Sequence, residues 1–137
     1  MSVITPAASV LLSRGPGSRE IFAILRSQQL KFFGGFWAFP GGRLDAADLV
    51  LAGVAEPTLD ALRIAACREL FEEAGVLVAR PFLTAGDELD RLRRDLLDGR
   101  LSFTQLLAER QLTIHADDFR RIGVPVIETS ASTEPPA

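Results

Sequence analysis

The stretch that decides the fold is RELFEEAGV, residues 68–76. On a helix of about 100° per residue, Glu69, Glu72 and Glu73 fall at positions i, i+3 and i+4, so their side chains converge on one face. Each like-charged pair costs the helix roughly 0.2–0.5 kcal/mol, and a hard divalent cation reverses that sign because it prefers carboxylate oxygens. Taken alone, Glu-x-x-Glu-Glu is more often a solvated face, since surface helices favour glutamate. With Arg68 and Gly75 included, chance produces the pattern about once per million starting positions, which favours a metal site.

The residues around these glutamates predict a helix from Leu59 to about Ala74. Thr58 can cap its start, because a threonine hydroxyl accepts from backbone N–H groups one turn further on. Gly75 is well placed to end it. The side opposite the glutamates is apolar and is expected to face a core; it carries Ile64, Cys67, Leu70, Phe71 and Ala74.

Shorter elements are predicted on both sides of this helix. Strands are expected at Val3–Leu12, Glu20–Arg26 (largely buried, with a hairpin to the first), Phe36–Phe39, Val76–Ala79 and Ile122–Ile127. Pro40-Gly41-Gly42 is expected to stop the third strand, and residues 43–57 are expected to form a loop. Two short helices are predicted at 87–97 and 102–110, joined at Gly99, with a capping box at Ser102–Gln105. Residues 129–137 are expected to be a disordered tail.

Size and composition point to one domain of a cytoplasmic protein. The chain has 137 residues, a net charge of −3 and a single cysteine. The charge gives no large positive field to attract nucleic acid or anionic lipid, so neither is expected as a partner. Cys67 alone cannot form a disulfide framework within the chain, and the N-terminus lacks a signal-peptide pattern.

Residues 68–76 resemble the second half of the Nudix hydrolase signature, G-x5-E-x7-R-E-U-x-E-E-x-G-U, where U is bulky and apolar. The resemblance implies that Glu69, Glu72 and Glu73 are catalytic and bind Mg²⁺ or Mn²⁺. It implies that Arg68 orients a glutamate through a charge-assisted contact. It also implies that Gly75 allows the turn from helix to strand. The activity implied is metal-dependent cleavage of a diphosphate linkage.

The first half of the signature departs from the family pattern. Five residues separate Gly42 from Asp48, which stands in place of the glutamate, and nineteen residues separate Asp48 from Arg68, where the family has seven. Counting back from Arg68 leads to Asp60. Either aspartate could replace the missing glutamate. Asp48 is favoured because the glycine turn fixes its place, whereas an acid at Asp60 stabilises a first helical turn by itself.

A second pattern upstream resembles the coenzyme A diphosphatase branch, which carries R-[SA]-x3-R-x3-G-x3-F-P-G-G. This sequence has Arg26-Ser27 and Phe39-Pro40-Gly41-Gly42 in register, with a lysine in place of the second arginine. Lysine keeps the charge but loses bidentate phosphate geometry. The resemblance implies coenzyme A or acyl-CoA as the substrate, with another nucleoside diphosphate derivative (ADP-ribose or a dinucleotide) as the alternative. The substrate-binding candidates are Arg26, Lys31, Gly41, Gly42 and Arg43.

The family resemblance implies an α+β fold, a Nudix-type α/β/α sandwich with a mixed β-sheet. The expected domain covers residues 1–128, with a helical insertion at about 87–110. No counterpart of the family's late strand and helix is expected after the insertion, so a C-terminally truncated, incomplete sheet is expected, with an open edge that a homodimer could cover. Two alternatives to an enzyme follow: a non-catalytic nucleotide- and metal-binding module, and a folding-impaired remnant. Trp37 is expected to lie in the core or in a pocket wall, and His115 is not expected to act as a catalytic base.

Overall fold

The computed structural model describes residues 6–18, 20–29 and 34–122. Within these residues the chain has an α+β fold with four α-helices and small antiparallel sheets. The helices are α1 (Ala46–Ala52), α2 (Leu59–Ala74), α3 (Asp87–Leu97) and α4 (Phe103–Glu109). The strands are β1 (Ala7–Ser9), β2 (Ser13–Arg14), β3 (Glu20–Ile21), β4 (Ile24–Leu25), β5 (Trp37–Ala38) and β6 (Gly41–Arg43).

Helix α2 begins and ends where the sequence predicts. The Thr58 hydroxyl accepts a hydrogen bond from the Ala61 N–H at 3.2 Å, which satisfies one of the free donors of the first turn. At the other end Gly75 adopts a left-handed conformation, with φ 75°, and its N–H donates to the Phe71 carbonyl at 3.0 Å. A side chain at that φ would be strained, so the glycine sets the end of the helix.

The hydrophobic core lies between α2, α3, α4 and the segment that follows α2. Cys67 and Phe71 are fully buried on the apolar side of α2, which confirms that this side faces the core. Burial raises the pKa of the Cys67 thiol to about 12, so the group packs as a small apolar side chain. The other buried members of this core are Ala79, Leu89, Leu92, Phe103, Leu106, Leu107 and Leu112.

Strand β6 corrects the expectation that Pro40-Gly41-Gly42 stops a strand. Residues Gly41–Arg43 pair antiparallel with β1, in the register Ala7 with Arg43 and Ser9 with Gly41. The pairing continues where Val10 N–H donates to the Pro40 carbonyl at 2.8 Å. A Cβ on Gly41 would overlap the Ala8 carbonyl oxygen, so the glycine allows the two strands to approach closely. Local propensity alone indicates a turn at this glycine.

The remaining strands form two short ladders. β2 and β3 pair across the turn at 15–18, and β4 pairs with β5. A hairpin therefore forms at the predicted turn, but its first strand is Ser13–Arg14, whereas β1, within the predicted strand Val3–Leu12, pairs with β6. The expected buried strand at 20–26 is wrong in two respects: it is interrupted between β3 and β4, and Ile21, Phe22 and Leu25 are exposed. Trp37 is 69% exposed, so its expected place in the core is wrong as well.

Helix α1 corrects the expectation of a loop over 43–57. Asp45 and Asp48 form a reciprocal capping box, in which the Asp45 N–H donates to Asp48 Oδ2 at 2.8 Å. Gly53 ends the helix in the left-handed conformation, with φ 71°. The apolar residues of this segment follow no clear helical period, which is why the apolar pattern did not reveal this helix.

The chain after α2 holds a further difference. Residues 76–79 form no strand; the nearest pairing is a single bridge between Arg80 and Thr113. Helices α3 and α4 confirm the helical pair predicted at 87–97 and 102–110, including the Ser102–Gln105 capping box. Residues 123–137, which hold nearly all of the last predicted strand and the whole tail, lie outside the described residues. None of the helices in the described part of the chain is long and apolar enough to cross a membrane.

Candidate active site

Arg68 lies at the centre of the site, on α2. Its side chain forms a two-point contact with Asp48 of α1: Nε lies 3.1 Å from Oδ1 and Nη2 lies 3.0 Å from Oδ2. Nη2 also donates to the Arg43 carbonyl at the end of β6, at 3.1 Å. Burial opposes the charged guanidinium, but its hydrogen bonds and charge interactions with Asp48 and Glu69 outweigh that and raise the pKa of Arg68. One buried cation thus joins α1, β6 and α2.

The two aspartates considered as replacements for the signature glutamate occupy different environments. The Asp48 side chain is 1% exposed and shares Oδ2 between Arg68 and the Asp45 N–H. The Asp60 side chain is 70% exposed and pairs with Arg63 at 2.8 Å, one turn along the surface of α2. The structure brings Asp48 to Arg68, and it leaves Asp60 in an exposed pair with Arg63.

Glu69 packs between Arg68 and the glycine strand. Its Oε1 accepts a hydrogen bond from Arg68 Nη1 at 2.9 Å. Its carboxylate lies against Gly42, where a Cβ would overlap it. Only glycine at this position leaves room for the carboxylate in this place. The FPGG segment and α2 are therefore built against each other at Glu69.

Glu73 and Glu72 extend the cluster by one turn. Glu73 Oε2 accepts from the Gly41 N–H at 3.2 Å, and Glu72 Oε2 lies 3.5 Å from Arg68 Nη1. The pKa of Glu73 is raised, first by burial and further by Glu69, although the Gly41 hydrogen bond and the charge of Arg26 lower it. The pKa of Glu72 is raised by burial, against the lowering effect of Arg68. At both glutamates the charged form is therefore less favourable than it would be in water.

An open groove of about 310 Å³ adjoins Glu73. Its lining combines apolar residues of β4 and β5 and their flanks with polar groups. The lining residues are Ile24, Leu25, Arg26, Ser27, Ala38, Phe39, Gly41 and Glu73. A cation, a backbone segment and a carboxylate of the cluster thus meet in one groove.

The remaining sequence candidates are placed as follows. Arg43 has an exposed side chain, and its carbonyl contributes to holding Arg68. Lys31 lies outside the described residues. His115 precedes a short 3₁₀ turn at 116–118 and lies close enough to Asp118 to lower the pKa of that carboxyl, after the larger effect of Arg80. Nothing in its surroundings suggests a catalytic base.

The carboxylates suit a hard divalent cation by their chemistry, and the glycines that face them leave space that side chains would fill. In the conformation described, no set of three or more Asp, Glu, His or Cys groups among residues 6–18, 20–29 and 34–122 is arranged to hold one ion. Glu72 is turned towards Arg68, while Glu69 and Glu73 face the glycine strand. Binding by all three therefore requires rotation of side chains, which their partial exposure permits.

Sequence reasoning missed two contributors to the site. Asp45 lies 3.4 Å from Arg68 Nη2 and caps α1; the spacing Asp45-x-x-Asp48 before an apolar run was the available signal. Arg93 of α3 donates to carbonyl groups at the end of α2. Its contacts depend on how α2 and α3 pack, and no local sequence pattern predicts them.

Known proteins resemble this chain in sequence and in fold. No protein-family model matches the chain. A curated protein of Caenorhabditis elegans, "Putative nudix hydrolase 7", is 35% identical over 103 residues, which are 73% of this chain and 32% of that protein. The crystal structure of a NUDIX hydrolase from Alicyclobacillus acidocaldarius matches with a TM-score of 0.60 and 30% identity, over 83% of this chain and 58% of that one.

These likenesses show that the fold is similar to that of a Nudix hydrolase and support a hydrolase of the Nudix family. Members of that family generally use divalent metal ions. The chain spans about a third of the length of the curated relative that it matches.

Proposed function

We propose that this chain is a Nudix diphosphatase that cleaves a diphosphate linkage in coenzyme A or acyl-CoA with Mg²⁺ or Mn²⁺. The observation that carries the proposal is the contact between the glutamates of α2 and the glycines of β6. Glu69 lies against Gly42, and Glu73 accepts from Gly41, beside a groove that also contains Arg26. A carboxylate face for a cation is thereby placed next to a groove in which Arg26 can meet an anion.

The metal ligands in this proposal are Glu69, Glu72 and Glu73. When bound, a divalent cation polarises phosphoryl oxygens and neutralises the charge that develops during cleavage. The chain's own residues hold the ligands in position. Arg68 holds Glu69 by a charge-assisted contact at 2.9 Å, and Asp48 holds Arg68 in turn, in the place of the missing signature glutamate. Glu72, whose Oε2 lies 3.5 Å from Arg68 Nη1, would rotate away from it to join the other two ligands.

The substrate assignment rests on the groove and the upstream motif. Arg26 and Arg43, with Lys31 outside the described residues, supply positive charge for phosphates, and the backbone of Gly41 and Gly42 allows close approach. The apolar wall of the groove, from Ile24, Leu25, Ala38 and Phe39, suits the less polar arm of an acyl-CoA better than a second nucleotide. A homodimer and a cytoplasmic location stay predictions, which sizing chromatography and cell fractionation would test.

The test is a substrate panel with Mn²⁺ that includes coenzyme A, an acyl-CoA, ADP-ribose and a dinucleotide. The wild type and Glu109→Gln, an exposed glutamate on α4 that serves as a matched control, are expected to cleave coenzyme A. Glu72→Gln is expected to lose nearly all turnover, because a charged ligand is removed without a change in shape. Full turnover by Glu72→Gln would refute the assignment of the site. Preferred cleavage of ADP-ribose would indicate that the substrate is another nucleoside diphosphate derivative. Metal binding without any product would indicate a non-catalytic nucleotide- and metal-binding module.

A further inference from the structure

Arg93 closes the end of α2 from a different helix. Its Nε lies 3.1 Å from the Phe71 carbonyl oxygen and 3.0 Å from that of Glu72. Its Nη2 lies 2.7 Å from the Glu72 carbonyl oxygen and 3.3 Å from that of Glu73. The carbonyls of a last helical turn lack partners within the helix and carry partial negative charge. One guanidinium binds three of them here, of which the Phe71 carbonyl also accepts from the Gly75 N–H.

No residue of α2 itself could do this, because its last turn contains no basic side chain. The cation comes from α3, which is anchored by Leu89 and Leu92 in the same core as Cys67 and Phe71 of α2. Arg93 directly follows Leu92, so the packing of α3 determines where the guanidinium lies. Its side chain also lies against Gly75, where a Cβ would be 3.5 Å from Arg93 Cδ.

The residues whose carbonyls Arg93 binds include two that carry carboxylates of the proposed metal site. Glu72 and Glu73 lie in the final turn of α2, where a helix frays most easily. Loss of the helical geometry there would move both carboxylates relative to Glu69, which lies a turn further inside. A group that holds this turn therefore sets the geometry of the ligands without touching a metal or a substrate.

We propose that Arg93 is a positioning residue, through which helix α3 holds the last turn of α2 and so sets the affinity of the carboxylate cluster for a divalent cation. The inference rests on the proposed function for the identity of the ligands. It gives the 87–110 segment a role in the site, because Arg93 of that segment binds the terminal carbonyls of α2, which has no basic residue of its own in its last turn.

The test compares Mn²⁺ binding to the full chain and to three variants, by electron paramagnetic resonance of free Mn²⁺. Arg93→Met removes the hydrogen bonds and keeps most of the apolar stem. Arg93→Lys keeps the charge but cannot donate to several carbonyls in one plane. Arg91→Met is the matched control, because Arg91 is an exposed arginine on the same helix. Loss of a group that orients metal ligands typically weakens metal binding by about tenfold or more.

The expected result is Mn²⁺ binding weakened about tenfold in Arg93→Met, less in Arg93→Lys and unchanged in Arg91→Met. Amide hydrogen exchange at Ala74 and Gly75 should be faster in Arg93→Met, while exchange at Ala65 and Ala66 stays slow, which shows that the variant is folded. Equal Mn²⁺ affinity in Arg93→Met and the wild type would overturn the proposal, whatever the exchange shows. A wild type that binds Mn²⁺ but cleaves no substrate would refute the diphosphatase function and leave the Arg93 comparison valid. A wild type that does not bind Mn²⁺ would refute both.

Discussion

Replacing Asp48 with asparagine perturbs the buried ion pair at the centre of the site without changing its shape. The asparagine can still accept from the Asp45 N–H, so the capping of α1 is kept. Arg68, only 7% exposed, loses its two-point carboxylate partner. Removing one member of a buried pair costs about 3–5 kcal/mol, because the other charge stays buried.

The lower end of that range applies here. Arg68 keeps Glu69 at 2.9 Å and Asp45 at 3.4 Å, and both partly compensate its charge. We therefore expect Asp48→Asn to lower the free energy of unfolding by about 3 kcal/mol. For a chain of this length, that corresponds to a melting temperature about 10 °C lower.

Urea unfolding followed by circular dichroism measures this loss, with Asp60→Asn as the comparison. The Asp60 side chain is 70% exposed in its pair with Arg63, so its loss should cost about 1 kcal/mol or less. Equal destabilisation by the two variants would refute the conclusion that Asp48, and not Asp60, is the partner of Arg68. So would a coupling energy near zero in a double-mutant cycle of Asp48→Asn with Arg68→Met.

Three further predictions concern the face that Glu69 and Glu73 share with the glycine strand. Because a Cβ on Gly42 would overlap the flexible end of Glu69, Gly42→Ala should reduce kcat about a hundredfold with a small change in melting temperature. Gly41→Ala meets the backbone of Ala8 and should chiefly lower the melting temperature; the reverse ranking of the two variants would contradict the packing described. In EDTA, Glu73→Gln should raise the melting temperature relative to the wild type, and more at pH 8 than at pH 5. The reason is that burial and Glu69 raise the pKa of Glu73 in the folded wild type. The wild type therefore loses stability as the pH rises through that raised pKa, whereas glutamine does not titrate. A difference in melting temperature that is smaller at pH 8 than at pH 5 would contradict this sign.

Helix α2 was predictable to the residue because its signals agree. Sixteen residues are enough to show an apolar side, Thr58 caps one end and Gly75 ends the other. Helix α3 was predictable for similar reasons, whereas α4, which is as short as α1, was predictable because the Ser102–Gln105 capping box marks its start. Helices with clear start and stop signals can be predicted from the local sequence.

The short elements could not be read in the same way. Strand β6 contains two glycines, which by local propensity indicate a turn, and its pairing with β1 depends on a chain segment more than thirty residues away along the sequence. Helix α1 is seven residues long and shows no period. The exposure of Leu25 and Trp37 depends on what covers these two-residue strands, which an apolar run does not specify.

In the candidate site too, local features could be predicted from the sequence and long-range contacts could not. The convergence of Glu69, Glu72 and Glu73 follows from helical geometry, and so was available from the sequence. The contact of Asp48 with Arg68 spans 20 positions; the sequence favoured Asp48 through the glycine turn, but the residue spacing kept Asp60 as an alternative. The contribution of Arg93 depends wholly on the packing of α3 against α2.

Product analysis with coenzyme A tests the central claim most directly. The full chain is incubated with coenzyme A in Mg²⁺ or Mn²⁺ and, in parallel, in EDTA, and the products are identified by mass spectrometry. Cleavage of the diphosphate linkage predicts equal amounts of phosphopantetheine and the phosphoadenosine product with metal, and neither in EDTA. No cleavage in either metal, or the same cleavage in EDTA, would contradict the claim that the glutamates of α2 form a metal site for diphosphate hydrolysis.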